Sequence, residues 1–250
     1  MRKVYVMKYD YLNYLKIMVF SYHMIDNVVF IGTSHISPES IRDVKRIIAS
    51  KKPVVVAIEL DRKRLSALLS KKKRKLSLAD IGRIGLKGWL FALFGQWIQK
   101  KLGKKLGVLP GSEMLAAYKA AKQNGCHVAL VDQDIEKTLR NFSRRLSWKE
   151  RWHFLVDAIK GLVFKKGVKF DLRKIPEDAL IERLISELKV RYPNIYKVLI
   201  EDRNKVIARN LCRIIVRFPD QVIVVVLGAG HVREVKELVK KYLKDYDFIH

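Results

Sequence analysis

The sequence predicts an α/β fold, with a mainly parallel sheet, flanking helices and a large helical insertion. Short apolar runs of strand length cover residues 28–31, 54–58, 127–131 and 222–227. Apart from His127, these runs are apolar, which is typical of parallel strands that are buried on both faces of the sheet. Helical patterns separate them, and one long helical block contains no strand-like run. We therefore expect a layered α/β core that carries added helices.

The domain organisation follows from these elements. Residues 1–26 form an N-terminal extension, which has a charged start but lacks the small-residue cleavage site of a signal peptide. It is interpreted as a disordered extension, an extra edge strand or the product of an early start codon before Met24. The remainder, residues 27–250, forms one domain. Its core covers residues 27–70, 107–135 and 219–250, and its helical insertions cover about residues 76–106 and 136–218.

The helices are predicted from caps and from the spacing of apolar residues. The first begins at Pro38, behind the N-cap candidate Ser37, and ends near Ser50. The second follows Glu59 and ends in a basic run at residues 71–75, which indicates an exposed connection. Further helices are expected at about residues 78–102, 113–124, 134–146, 148–164, 176–192, 193–218 and 231–244, and a short edge strand at residues 247–250.

The segment at residues 78–102 is rich in aromatic and apolar side chains between basic flanks. One interpretation is an amphipathic helix that lies on a membrane or contacts a partner. The other, which we favour, is a helix that packs over the core or across a dimer interface.

The composition restricts the class of protein. The chain has 250 residues, is 49% hydrophobic and carries 51 Lys and Arg against 25 Asp and Glu, for a net charge of +26. This charge fits nucleic acid or anionic lipid as partners, and equally a solvated surface of a thermophile protein. No nucleic-acid-binding motif or apolar run of transmembrane length occurs. Two cysteines without metal-type spacing indicate a reducing, cytoplasmic setting, with a peripheral membrane location as the alternative.

Two matching turns follow strands at opposite ends of the chain. Gly32-Thr33-Ser34-His35 follows the first strand, and Gly228-Ala229-Gly230-His231 follows the fourth. Residues after the carboxyl ends of parallel strands share one edge of the sheet. If the two strands are neighbours, the paired G-x-x-H turns predict that His35 and His231 converge on one point.

Acidic side chains follow the other two strands. Glu59 and Asp61 come after the second strand, and Asp132 and Asp134 come after the third. Two imidazoles with carboxylates can bind a divalent metal such as Mn, Co, Fe or Zn. Such an ion lowers the pKa of a bound water, and a nearby Glu can serve as a ligand or a general base. The pattern indicates a metal-assisted site at this edge.

Structural interpretations stand beside these functional ones. Either histidine can cap backbone groups in the first turn of its helix. Glu59 can form an ion pair with Arg62 or Arg64, because a carboxylate at a sheet edge needs a partner. The glycines after the fourth strand are not a G-x-G-x-x-G pattern, so a nucleotide site is weakly supported.

The remaining acidic candidates have similar alternatives. Asp132 and Asp134 can cap the following helix, and for Asp134 the cap is the favoured interpretation. Glu113 lies in the first turn of a predicted helix, where the helix dipole favours a negative charge. Asp202 and Arg203 lie within a predicted helix and can form a local ion pair or a solvated face.

Taken together, these segments resemble the TraB (pheromone-shutdown) family, which is related to the Tiki proteases and more distantly to ChaN-like haem-binding and erythromycin-esterase-like proteins. The resemblance covers about residues 27–245 and rests on six segments in the same order. These are Gly32-Thr33-Ser34-His35-Ile36-Ser37, Val56-Ala57-Ile58-Glu59-Leu60-Asp61 with Arg64, Leu109-Pro110-Gly111-Ser112-Glu113-Met114, Val131-Asp132-Gln133-Asp134-Ile135, Asp202-Arg203-Asn204 and Gly228-Ala229-Gly230-His231-Val232.

The resemblance implies an α/β core with a helical insertion. Tiki relatives are described as metal-dependent peptidases that use the two G-x-x-H histidines and a Glu. By that match, His35, Glu59 and His231 are the metal ligands and central catalytic residues, and Arg64 and Arg203 support them. The implied cofactor is Mn, Co or Zn, and the implied substrate is a peptide. The other candidate site residues are Asp61, Glu113, Asp132 and Asp202.

The sequence departs from the family pattern at three places. Gln133 stands where Arg is frequent, and Asp202 stands where Glu is usual. Many relatives continue into C-terminal membrane spans, whereas this sequence stops at His250.

Three functions are carried forward from the sequence. The first is a metal-dependent hydrolase, most readily a peptidase. The second is a non-catalytic module that sequesters a peptide or a haem-like ligand. The third is a basic protein that contacts a membrane surface or nucleic acid. A homo-oligomer is a further candidate state for each.

Overall fold

The computed structural model of the protein describes residues 25–33, 38–70, 77–106, 111–150, 152–153, 156 and 177–247. Several predictions lie outside these ranges. They include most of the N-terminal extension, the basic run at residues 71–75, the end of the predicted helix at residues 148–164, and His35.

Strands alternate with helices along the chain. The strands are β1 (Val28–Thr33), β2 (Val55–Ile58), β3 (His127–Leu130) and β4 (Ile223–Gly228). The helices are α1 (Pro38–Lys51), α2 (Arg62–Leu69), α3 (Ile81–Leu106), α4 (Ser112–Gln123), α5 (Ile135–Arg145), α6 (Glu177–Arg191), α7 (Pro193–Tyr196), α8 (Asp202–Arg217) and α9 (Ala229–Asp247). A 3₁₀ turn, Leu78–Asp80, precedes α3, and a π-helical stretch, Lys197–Glu201, joins α7 to α8.

In the described part of the chain the sheet has four strands in the order β1-β4-β2-β3, and each pair of neighbours is parallel. The predicted α/β class is thereby confirmed. In the register, Thr33 lies opposite Gly228, and Ile58 lies opposite both Val226 and Leu130. The two strands that carry the G-x-x-H turns are therefore direct neighbours.

Helices cover both faces of the sheet, which explains why its inner strands are apolar throughout. Every residue of β2 and β4 is buried. On one face, apolar residues of α8 and α9 pack against side chains such as Val55, Ala57 and Val225. On the other face, α1 and α4 pack against Val56, Ile58 and Val224. Each central strand thus alternates its side chains between two apolar layers.

The last part of the predicted helical insertion belongs to the core. Four residues of α8, namely Ile207, Ala208, Leu211 and Ile215, are fully buried in the apolar cluster beneath the sheet. This packing fixes the position of the first turn of α8, which contains Arg203 and Asn204.

Acidic side chains cap two of the helices, and one of these caps was predicted. Asp134 accepts hydrogen bonds from the backbone N–H groups of Glu136 and Lys137, so the predicted cap of α5 is confirmed. Asp61 caps α2 by accepting from Lys63 and Arg64. At the other end of the chain, the expected edge strand at residues 247–250 is wrong at its first residue, because Asp247 closes α9.

The aromatic segment forms α3, which packs against α5. The rings of Phe91 and Phe142 lie 4.2 Å apart, and Trp89 donates a hydrogen bond to the carbonyl of Ser77. Leu86 and Leu90 remain more than half exposed on the same helix. Among the described residues, no helix is long and apolar enough to cross a membrane.

Candidate functional site

The described site lies at the carboxyl edge of the sheet. Glu59 follows β2, Asp132 follows β3, and His231 stands in the first turn of α9 after β4. All three side chains are buried. The strand-end pattern predicted that these side chains meet at one edge of the sheet, and these three do.

Glu59 is held from two sides. Its Oε2 accepts a hydrogen bond of 2.7 Å from the backbone N–H of Gly228, the last residue of the neighbouring strand β4. Its Oε1 accepts from Nη2 of Arg203 and lies 3.5 Å from Nε2 of His231. The interpretation that Glu59 pairs with Arg62 or Arg64 is wrong, because Arg203 supplies the guanidinium.

Arg203 connects the elements of the site. Its Nε and Nη2 both donate to Asp132, at 3.1 and 2.5 Å. Its Nη1 donates to the carbonyl of Leu199 and lies 3.4 Å from Nε2 of His231. One planar guanidinium therefore joins the ends of β2 and β3 to the starts of α8 and α9, which suits the fixed fork of its donors.

Asp132 also receives a second arginine. Nη2 of Arg64 donates to Asp132, while Nε of the same side chain donates to Asp61 at 2.5 Å. Asp61 thus braces Arg64 in addition to capping α2. Each of the two arginines bridges carboxylates from different loops. Arg64 joins Asp61 to Asp132, and Arg203 joins Glu59 to Asp132.

The charges in this network shift the pKa values of its acids. Burial alone would raise the pKa of Asp132, but the two guanidiniums outweigh it and hold that pKa at about 2. Burial opposes ionisation of Glu59 as well. Attraction to His231 and Arg203 nevertheless keeps its pKa below the ordinary value. Both groups are therefore carboxylates at neutral pH.

Three carboxylates, from Glu59, Asp61 and Asp132, contact only two guanidiniums in this network, from Arg64 and Arg203. The network therefore carries one negative charge in excess, which favours a cation nearby.

His231 is oriented by a neighbour that our sequence analysis did not include among the site residues. Its Nδ1 lies 2.6 Å from Oδ1 of Asn204, and Asn204 donates from Nδ2 to Glu234 at 2.6 Å. The hydroxyl of Tyr196 donates to the other oxygen of Glu234 at 2.7 Å. The sequence contains two signals for these neighbours. Asn204 adjoins Arg203 in the segment Asp202-Arg203-Asn204, and Glu234 lies three residues after His231, on the same face of a helix.

Two other predicted candidates take different positions. The carboxylate of Asp202, at the start of α8, accepts from Arg145 at 2.6 Å, which is an ion pair with a residue 57 positions earlier and not the local pair considered above. Glu113 is almost fully buried in the first turn of α4, where the helix dipole favours it. His35, the third predicted metal ligand, lies outside the described residues.

The described donors fit part of a metal site. Within the ranges that the structure covers, no group of three His, Cys, Asp or Glu side chains is arranged to hold an ion. His231 and Glu59 supply one imidazole and one carboxylate side by side, which is a donor pair that borderline divalent metals accept. Full coordination by the predicted set requires His35.

A cleft of about 570 Å³ opens beside the start of α9. Its walls come from the end of β1, from α6 and from the first two turns of α9. The lining combines small and apolar residues with both signs of charge, and it includes Glu234. The residues are Gly32, Glu182, Ile185, Ser186, Ala229, Gly230, Val232, Arg233, Glu234 and Lys236.

Comparison with known proteins gives consistent matches. A sequence model of the TraB/PrgY/gumN family matches residues 24–248. An uncharacterized protein of Methanocaldococcus jannaschii is 33% identical over 221 residues, which cover 86% of this chain and 54% of that protein. A TraB domain-containing protein of Homo sapiens is 27% identical over 190 residues, which cover 71% of this chain and 50% of that protein.

The TraB domain-containing protein of Bos taurus is similar to the same extent, with 27% identity over 191 residues. The chain spans about half the length of the curated relatives that it matches. The family match extends over almost the whole chain and includes every described segment of the site. The chain belongs to the TraB/PrgY/gumN family.

Proposed function

We propose that this protein is a metal-dependent hydrolase that acts on a peptide-like substrate, with His231, Glu59 and His35 as ligands of a divalent ion. The observation that carries the proposal is the 3.5 Å approach of His231 Nε2 to Glu59 Oε1 at the carboxyl edge of the sheet. Open α/β sheets hold their sites at this edge.

The surroundings of this pair support the proposal. The contact of His231 Nδ1 with Asn204 leaves Nε2 directed at Glu59, and metal-binding histidines are oriented in this way through their second nitrogen. The N–H of Gly228 holds one oxygen of Glu59 in place. The surplus negative charge of the network favours a cation.

The residues of the chain have separate roles in this mechanism. A divalent ion held by His231, Glu59 and His35 would lower the pKa of a bound water toward neutrality. Glu59 would orient that water as a ligand, because the N–H of Gly228 and the guanidinium of Arg203 hold its carboxylate in place. Arg203 lies beside the pair and can stabilise negative charge on a substrate oxygen. The cleft beside α9 provides space for the substrate chain.

The metal-binding test compares two histidines in matched variants. Protein stripped with a chelator is titrated calorimetrically with Mn, Co and Zn. We expect about one ion per chain for the wild type and loss of binding in His231→Ala. His127→Ala is the control, because His127 begins β3 at the opposite end of the sheet and is exposed. Equal binding by wild type and His231→Ala would contradict the proposal.

A peptide-library digest then tests the reaction. Cleavage should require the metal and should be lost in Glu59→Gln. Metal binding without cleavage of any peptide would support the metal site but contradict the proposed peptidase activity.

The second candidate is a non-catalytic module that sequesters a peptide or a haem-like ligand. The contacts of Arg203 favour it, because Arg203 already places a cation next to both Glu59 and His231. In this case the arginine is the permanent counter-ion of the pair. The variant Arg203→Gln separates the two candidates. If a metal ion is the natural occupant, the variant binds the metal at least as tightly as the wild type does. If it is not, the variant binds no metal.

A peripheral contact with an anionic membrane or with nucleic acid is a further proposal about partners. It is supported by the net charge of +26 and by two exposed tryptophans, Trp148 and Trp152, next to Lys149. Exposed tryptophans beside basic residues are typical of surfaces that lie at a lipid interface.

A further inference from the structure

A chain of hydrogen bonds leads away from the side of His231 that does not face Glu59. His231 Nδ1 contacts Asn204 Oδ1, Asn204 Nδ2 contacts Glu234 Oε2, and the hydroxyl of Tyr196 contacts Glu234 Oε1. The three contacts are 2.6, 2.6 and 2.7 Å long. We call these four residues the His231 relay. It joins α7, α8 and α9 and extends to the wall of the cleft.

The chemistry of the relay allows one arrangement of protons. An ionised carboxylate only accepts hydrogen bonds, so the group of Asn204 that faces Glu234 must be its NH₂. The amide oxygen of Asn204 therefore faces His231. Because that oxygen only accepts, Nδ1 of His231 must carry a proton. In the neutral ring, Nε2 is then the nitrogen with the free lone pair.

On the other side of the ring, Nε2 lies between a donor and an acceptor. Nη1 of Arg203, which can only donate, is 3.4 Å away, and Oε1 of Glu59 is 3.5 Å away. In the neutral Nδ1–H ring, the arginine is the partner that suits the Nε2 lone pair.

Burial prevents water from replacing these contacts. Asn204 is 0% exposed and Tyr196 is 6% exposed. Burial, together with the hydrogen bond to Glu234, also raises the pKa of Tyr196, so its hydroxyl keeps its proton and remains a donor. A reversed amide would place oxygen against carboxylate and leave buried groups unsatisfied.

We propose that Glu234, held by Tyr196, is a positioning residue that sets the proton arrangement of His231 through Asn204. It keeps the neutral ring in the Nδ1–H form, with the Nε2 lone pair on the side of the ring that faces Arg203 and Glu59. The use of that lone pair as a metal ligand rests on the proposed function. The proton arrangement does not depend on it.

The test reads the two ring nitrogens directly. Metal-free protein labelled with ¹⁵N-histidine is measured by NMR at a pH where the ring is neutral, and His231→Asn assigns the signal. We expect a protonated Nδ1 and an unprotonated Nε2 in the wild type. In Glu234→Gln the new amide can present either group to Asn204, so the Nε2–H form should increase severalfold.

Glu237→Gln is the matched control, because Glu237 lies on the same helix and its side chain is 70% exposed. It should give the wild-type spectrum. A wild-type ring with the proton on Nε2, or the same spectrum in Glu234→Gln as in the wild type, would overturn the proposal.

Tyr196→Phe keeps the test usable if Glu234→Gln does not fold. It removes only the hydroxyl and should shift the populations in the same direction by less. An unchanged spectrum in this variant contradicts the role of Tyr196. Since no metal or substrate is present, failure of the hydrolase proposal and failure of the relay give different results.

Discussion

At the residue scale, Arg203 and Asp132 organise the site. The side chain of Asp132 is fully buried and accepts from two guanidiniums, while Arg203 also reaches Glu59 and the His231 ring. Removing one partner of a buried charge network leaves the other charges uncompensated. The stability of the site therefore depends strongly on single residues within it.

Replacing Asp132 should make this dependence measurable. Asp132→Asn keeps the shape of the side chain but removes its charge, so two arginines lose their shared partner. We expect the free energy of unfolding in denaturant to fall by about 3 kcal/mol. Asp134→Asn serves as the control, because Asp134 is a half-exposed cap and Asn caps equally well, so its change should stay within about 0.5 kcal/mol.

The same variant tests the acid sensitivity of the fold. The pKa of Asp132 is lowered to about 2 in the folded protein, so its contribution is complete above the pKa of the unfolded chain, about 3.9. That contribution, about 2 kcal/mol, is lost as the pH falls from about 4 toward 2. Unfolding at stepwise lower pH should show a smaller loss in Asp132→Asn. Parallel pH curves for the two proteins would show that Asp132 is not the cause.

At the element scale, the contact between α3 and α5 depends on a glycine. A Cβ added to Gly88 would lie 2.6 Å from the carbonyl oxygen of Leu139, which is backbone and cannot turn aside. The two helices approach closely at this point and support the Phe91–Phe142 ring contact. Gly82 lies before the break in α3 at Gly85 and has no neighbouring atom within 4 Å of such a Cβ.

The two glycines should therefore respond in opposite directions to the same substitution. Gly88→Ala forces the helices apart and should lower the free energy of unfolding by about 1–3 kcal/mol. Gly82→Ala removes backbone freedom from a helix and should raise it by about 0.5 kcal/mol. Thermal unfolding of both variants measures the difference. Equal melting temperatures would show that α3 and α5 are not in close contact at Gly88.

At the scale of the whole molecule, the net charge of +26 dominates long-range behaviour. A field of this size attracts polyanions and anionic surfaces and is screened by salt over about 8 Å at physiological ionic strength. The acidic site at the sheet edge is an exception to the basic character of the chain.

Binding to anionic partners should be strong at low salt and steeply reduced by salt. We expect sedimentation with anionic vesicles, and not with zwitterionic ones, and a loss of affinity of tenfold or more between about 50 and about 200 mM salt. A double variant, Trp148→Ala with Trp152→Ala, distinguishes the partners. It should weaken vesicle binding but leave binding to duplex DNA unchanged. Salt-independent binding would contradict an electrostatic contact.

The architecture was predictable from the sequence because its signals are local. Continuous apolar runs mark strands that are buried on both faces, and a turn of Gly and His at a strand end predicts the edge where a site lies. The strand-end pattern identified Glu59, Asp132 and His231, and the resemblance to the family singled out Arg64 and Arg203. The structure brings these five together. The sequence also indicated Asp134 as a cap, which is confirmed.

The partners within the site were not predictable in this way. The sequence offered Glu59 an arginine a few residues away as one alternative, but its partner stands 144 positions later, on a helix that the apolar core holds under the sheet. Asp202 and Glu113 belong to segments that match the family pattern. Asp202 nevertheless forms an ion pair with Arg145, outside the network of Glu59, Asp132 and Arg203. Which side of a helix meets a given charge depends on packing, and packing is not a local property.

The sequence by itself determined the family, the parallel α/β core and the edge of the sheet where the polar residues collect. The core and its edge depend on periodicity, which acts over a few neighbouring residues, and the family depends on six short segments in a fixed order along the chain. Only the tertiary structure decided that Arg203 is the cation beside Glu59 and that Asn204, Glu234 and Tyr196 orient His231. Buried polar groups must find partners wherever the packed helices place them, and that requirement is satisfied by the whole fold.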